Sequence, residues 1–215
     1  MTIMHSNRIR DLGLVWSILV AGCAGPARLS TQWTDPAFRS STLRQVMVLG
    51  GGAPGNAAAL ERGFARALAA SGVGAIAGRG GAPDAPADSA GWWARAAELG
   101  SDAVLVTRLV GARTIDANYS NVTSYVAVPP GYSAGWYSYW LAVRGGGDAT
   151  ANAPVRLEAN LYLHPGNQLV WSAVSETFEL SGQAGDPGAD REFDRPIETL
   201  AQALRPKLPR RRHDR

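Results

Sequence analysis

One cysteine, three histidines and a glycine-rich turn are the residues of this 215-residue chain best suited to chemistry. The thiol, Cys23, has no second cysteine to pair with, so an intrachain disulfide is excluded. It closes the stretch LVAGC (19–23), behind the uncharged apolar run LGLVWSILVAG (12–22) and a leader carrying Arg8 and Arg10. A basic leader, a short apolar core and small residues before a boundary are the parts of a secretory signal. The run is shorter than the roughly 20 residues that span a bilayer. The thiol therefore stands where covalent modification is open to it, the alternative being a free cysteine in a leader. His5, His164 and His213 are too scattered to form a metal set. No G-x-S-x-G elbow supplies His164 with a serine, and it reads as a residue of the HPGN turn.

Gly50, Gly52 and Gly55 satisfy G-x-G-x-x-G between a strand pattern and a helix pattern, the context in which a helix N-terminus takes a pyrophosphate. A dinucleotide site also wants an acid about 20 residues further on. The stretch AIAGRGG (75–81) offers Arg79 instead, and Pro54 stiffens the loop where close approach matters. Export would also remove the usual nicotinamide supply. A plain glycine-rich connection is expected, with no cofactor. Glu158 and Glu176 fall on neighbouring strands of one hairpin, as a paired-acid glycosidase would require. Glu158 alternates with Arg156 on what reads as a solvated face, which weighs against catalysis. No enzyme is expected.

The charge is mildly positive, +3, with the excess at the C-terminus around Arg210, Arg211 and Arg212. Such a tail suits anionic lipid or polymer, or is a frayed end without a role. Nucleic acid is a poor partner for an exported chain. Tyr119, Tyr125, Tyr132, Trp136, Tyr137, Tyr139 and Trp140 crowd one segment among glycine and proline. These aromatics pack a sheet, or present a protein-contact surface or a sugar-stacking platform at Tyr132, Trp136, Tyr139 and Trp140.

The elements that must position these residues follow from periodicity. Val46–Leu49 is a short buried strand, and residues 56–72 form a helix with Leu60, Phe64 and Leu68 on one face and Glu61, Arg62 and Arg66 on others. Val73–Ala77 is a weak strand, Ser89 caps a helix bearing Trp92, Ala96 and Leu99, and Ala103–Val110 is a central strand. RLEANLYL (156–163) alternates cleanly and returns through QLVWSAVSETFEL as a hairpin. A last helix starts at Asp194 with the stripe Ile197, Leu200, Ala201 and Leu204. The fold class is α/β: a mixed sheet with a β-α-β-α-β first half, a hairpin-rich second half and a C-terminal helix, helices packed on the sheet. Residues 1–22 read as signal peptide, 23–42 as tether, 43–205 as one domain and 206–215 as a disordered basic tail.

Leu19, Val20, Ala21, Gly22 and Cys23 resemble the lipobox of bacterial lipoproteins. That resemblance implies a diacylglyceryl thioether on Cys23, cleavage before it and acylation of the new amino group. Several acyl chains anchor firmly where one is marginal. Ala24 lacks the aspartate that retains such proteins in the inner membrane, implying the outer membrane, periplasmic face. FARALAASGVGAI, SDAVLVTRLVG and RLEANLYL…GNQLVWSAVSETFEL, followed by a terminal helix, resemble a family of small uncharacterised bacterial lipoproteins over Leu43 to Leu204. More distantly the arrangement is similar to periplasmic α/β domains of the curli-secretion lipoprotein, of penicillin-binding-protein activators and of the Tol-Pal translocation protein. The resemblance implies an envelope structural or adaptor protein with a protein partner. A glycan- or lipid-binding module is the alternative, and no catalytic set transfers.

Overall fold

A run of apolar residues flanked by glycine can be buried on both faces only inside a sheet, and Val46–Gly50 (β2) does this with all five residues buried. The computed structural model describes residues 28–39, 43–79, 89–111, 154–163, 168–180 and 189–207. Its elements are β1 (Leu29–Thr34), β2, α1 (Pro54–Ala70), β3 (Ala75–Ala77), α2 (Ser89–Glu98), β4 (Ala103–Gly111), β5 (Pro154–Leu163), β6 (Gln168–Ser175), β7 (Phe178–Glu179), α3 (Ala189–Glu192) and α4 (Asp194–Leu204). A 3-10 turn follows at Arg205–Lys207.

The strands form one seven-stranded sheet in the order β1-β6-β5-β4-β2-β3, with β7 also on β5. β3, β2 and β4 are mutually parallel, and β4, β5, β6 and β1 pair antiparallel. Leu60, Phe64 and Leu68 of α1 and Ile197, Leu200 and Leu204 of α4 pack one face with Val48, Leu105, Leu157, Ala159 and Leu161. Each such side chain, fully buried, contributes about 1.5–3 kcal/mol. Trp92 and Ala96 of α2 cover the opposite face over Met47, Leu49, Val104, Val106 and Tyr162. The mixed α/β architecture expected from the periodicity is the one observed.

Two local expectations are corrected. Leu29–Thr34, read as tether, is an edge strand: Thr31 to Thr34 pair with Val174 to Trp171 of β6, and Trp33 packs against the α2-side core. Its leucine, threonines and tryptophan suit a half-buried pleat. Pro36, expected as part of the same polar linker, lies in the turn that ends it. The second correction concerns Arg156, Glu158, Asn160 and Tyr162, read as a solvated row. Glu158 is 1 % exposed and Asn160 and Tyr162 fully buried. The face is covered rather than solvated: Tyr162 packs with Trp92 and Ala96 of α2, and Glu158 is held by Arg108 and Asn160 on the same side of the sheet.

β6 and β7 are one strand interrupted by a bulge. Glu158 pairs with Val174 while Val155 pairs with Phe178, so β6–β7 carries one extra residue over that interval. Ser175 Oγ mends the gap, accepting the Leu157 N–H at 3.0 Å and donating to the Glu176 carbonyl at 2.7 Å.

Candidate functional site

In an open parallel sheet the place for a ligand is the crevice outside the carboxyl ends of two neighbouring strands whose onward connections diverge. Here that point lies between β2 and β4. The chain leaves β2 through α1 towards β3 on one side, and β4 is followed by β5 on the other. Gly50 to Gly55 border it, and Gly50 is where a side chain is forbidden: a Cβ there would lie 2.3 Å from the Ala57 carbonyl oxygen. Gly52, at φ +95, adopts a conformation that favours glycine. The sequence predicts this loop; the side chain that braces it stands on the β3 side of β2.

Glu61, about two turns into α1 from the loop, is 2 % exposed. Its Oε1 accepts the Gly50 N–H at 3.1 Å and its Oε2 the Arg79 N–H at 3.0 Å. The Arg79 guanidinium stands 3.3 Å from Oε1 and donates through Nη2 to the Gly50 carbonyl at 2.8 Å. Burial pushes the Glu61 carboxyl above the ordinary carboxylate range; the two backbone donors and the Arg79 and Arg62 charges offset this only in part. Across the crevice Gly51 N–H bonds the Thr107 carbonyl at 2.7 Å, and Thr107 Oγ1 donates to the Leu49 carbonyl at 3.3 Å. The arrangement is a staple joining the ends of β2, β3 and β4 to α1. An internal carboxyl group takes the Gly50 and Arg79 N–H donors and the Arg79 guanidinium is paired with it, so a pyrophosphate at this loop would compete with Glu61 for them. Glu61 was placed off the apolar stripe, yet its spacing to Phe64 and Leu68 puts it on that stripe.

A second buried pair lies on the α2 side of the sheet. Arg108 Nε donates to Glu158 Oε2 at 2.7 Å and Asn160 Nδ2 to Glu158 Oε1 at 3.1 Å. Arg108 and Glu158 are direct partners in the β4–β5 ladder. Glu158 is thereby held by a cation and an amide, while Glu176 is exposed. The paired-acid geometry considered for these two carboxylates is absent from the contacts of Glu158 that the structure describes.

At the far ends of β2 and β4, Asp102 Oδ2 accepts the Arg44 N–H at 2.8 Å and Oδ1 pairs with Arg44 Nη2 at 3.0 Å. Burial pushes this carboxyl up, but the Arg44 side-chain and backbone donors and charge outweigh it and hold it below its ordinary value. This is a strand-end clamp. Among the described residues no group of three His, Cys, Asp or Glu could hold a metal ion, and no helix is long and apolar enough to cross a membrane.

Cys23, His164, Tyr132, Trp136, Tyr139, Trp140, Arg210, Arg211 and Arg212 lie outside the described residues. The strands flanking the aromatic segment are described: Gly111 ends β4 opposite Val155, and both stand at the same end of the sheet as Gly50 and Leu29. No protein-family model matches the chain, and no curated protein sequence matches it. Among solved structures it is similar to two chains of the PelC dodecamer from Paraburkholderia phytofirmans, one of them a point variant. They are 16 % and 17 % identical, cover 84 % of this chain and 98 % and 97 % of theirs, and superpose with a TM-score of 0.41 in both cases. A likeness at that score establishes neither a shared architecture nor a shared role.

Proposed function

We propose that the chain is an envelope lipoprotein held to the outer membrane through Cys23, working as a structural or adaptor domain by contact rather than by catalysis. The observation that supports contact over small-ligand chemistry is the Glu61–Arg79 staple; the anchor rests on the residues around Cys23 alone. At the carboxyl ends of β2 and β3 the Gly50 and Arg79 N–H donors are taken by the chain's own carboxylate, and across β2 and β4 the Gly51 N–H is bonded to the Thr107 carbonyl. Recognition then falls to what borders the sheet. Gly111 and Pro154 stand at one end, so the segment bearing Tyr132, Trp136, Tyr139 and Trp140 leaves and re-enters the fold there. We assign that segment the partner contact, and the basic residues Arg210, Arg211 and Arg212 a second one.

A glycan- or lipid-binding role is the second reading, favoured by the open groove of about 500 Å³ between α1 and α4. Arg66, Asp194, Glu198 and Gln202 line it beside the small residues Gly63 and Ala67. Photo-crosslinking from position Tyr139 in intact Gram-negative cells separates the two. A discrete protein adduct, lost in the Trp136→Ala/Trp140→Ala variant, supports the adaptor reading. Polysaccharide or lipid adducts alone favour the second, and no adduct of any class refutes the assignment of contact to this segment.

A further inference from the structure

We infer that the cavity between the β6–β7 bulge and the start of α4 is an anion site for a phosphate group, of the kind a membrane phospholipid presents. The cavity measures about 130 Å³ and is bordered by Arg28, Arg195, Glu176, Thr177, Phe178 and Thr199. That volume equals about four waters' share of the liquid, so a phosphate-sized group fits. Arg28 and Arg195 are both exposed, and among the described residues neither guanidinium has a hydrogen bond or ion pair. They come from opposite ends of the chain. Arg28 lies against the bulge, its carbonyl accepting the Glu176 N–H at 3.4 Å, and Arg195 of α4 borders the same cavity.

A third arginine stands behind them: Arg156 Nε donates to Thr177 Oγ1 at 3.1 Å, leaving the Thr177 hydroxyl proton for another acceptor. Glu176 is the one carboxylate on the rim, so the balance around the cavity is positive. Bidentate guanidiniums are the usual recognition groups for phosphate, and a threonine hydroxyl adds a neutral donor. Phe178 supplies an apolar wall on which the glycerol or acyl portion of a lipid can lie.

Position gives the source. Arg28 is five residues from Cys23, and five extended residues reach at most about 18 Å. An anchored Cys23 would hold the cavity within reach of the headgroup layer. The choice of a lipid as the source rests on that anchored reading; the anion site itself does not.

The test uses the full chain carrying Cys23→Ser, so the outcome is independent of lipidation. It is mixed with phosphatidylcholine vesicles with and without phosphatidylglycerol, and separately titrated with inorganic phosphate. Removing two surface arginines, as Arg28→Gln/Arg195→Gln, is expected to weaken phosphatidylglycerol-dependent binding about 30-fold. An Arg210→Gln/Arg211→Gln/Arg212→Gln control reports what the tail contributes; Arg28 and Arg195 are exposed, and unchanged tryptophan fluorescence verifies the fold of each variant. Loss of vesicle binding that inorganic phosphate cannot reproduce by competition identifies a headgroup site. Saturable phosphate binding lost in the same variant, with vesicle binding unchanged, identifies a site for free phosphate. If the double variant matches the parent in both arms, the inference is overturned, whatever the state of Cys23 proves to be.

Discussion

Replacing Glu61 by glutamine asks whether the staple is structural in the way its geometry states. The two carboxylate oxygens serve two different backbone donors, Gly50 N–H at 3.1 Å and Arg79 N–H at 3.0 Å. Glutamine keeps one acceptor and turns an NH2 towards the other donor, so one of the two amides loses its partner at a cost of about 1–3 kcal/mol. Against this, the variant no longer buries a charge. The raised carboxyl shows that burial outweighs the charges and donors that favour ionisation. The two effects separate by pH. A carboxyl held above its unfolded value stabilises the fold fully below that value and loses the contribution as pH rises through the folded one. Glu61→Gln should therefore abolish a downward slope of stability with rising pH just above 4.5, the ordinary value of the group. At neutral pH it should still unfold at lower urea with unchanged m. The thermal midpoint should fall by roughly 2–12 °C. Trp92 and Trp171, both buried, report the transition by fluorescence. A variant as stable as the parent from pH 5 to 8, with the same slope, would refute the staple.

Four further outcomes follow from the same packing. Gly50→Ala drives a Cβ to 2.3 Å from the Ala57 carbonyl, a clash with backbone that α1 cannot relieve by a rotamer change, so expression should yield little folded protein by circular dichroism. Gly63→Ala meets only the Ile197 Cδ1 tip at 2.5 Å, and α1 gains about 1 kcal/mol of helix propensity, so its melting temperature should stay within a few degrees of the parent. Arg108→Met strips the cation from the buried Glu158 and should cost about 3 kcal/mol in urea unfolding, most of it restored by the paired change Glu158→Leu. Asp102→Asn should leave neutral stability lower and flatten the acid limb, because a carboxyl held below 3.8 contributes above that pH and loses its contribution as pH falls through the folded value.

Much of the architecture was legible because it is carried by local periodicity. The stripe of α4 names its buried face without reference to any partner, and the alternation of β5 names one of the two faces it buries. What failed were readings that depend on register and neighbours. Glu158 looks solvent-facing on its own strand; the β4–β5 ladder sets Arg108 against it, and α2 packs over Tyr162 on the same face. Leu29–Thr34 has too few apolar residues to announce a strand, and becomes one because β6 offers a free edge. The glycine turn was readable as backbone geometry, whereas the side chain that braces it was not. A glutamate on an apolar stripe is ordinarily read as a helix-face variation, until the strand ends converging on it supply two N–H donors and an arginine.

The account turns on Cys23, since an anchor there fixes the compartment, the class of partner and the orientation of the sheet. The direct measurement is the intact mass of the N-terminal peptide from the chain expressed in a Gram-negative host. Cleavage before Cys23, with a diacylglyceryl group on sulfur and an acyl group on the new amine, is the predicted result. An uncleaved chain with an unmodified thiol would contradict the anchored reading and with it the envelope role.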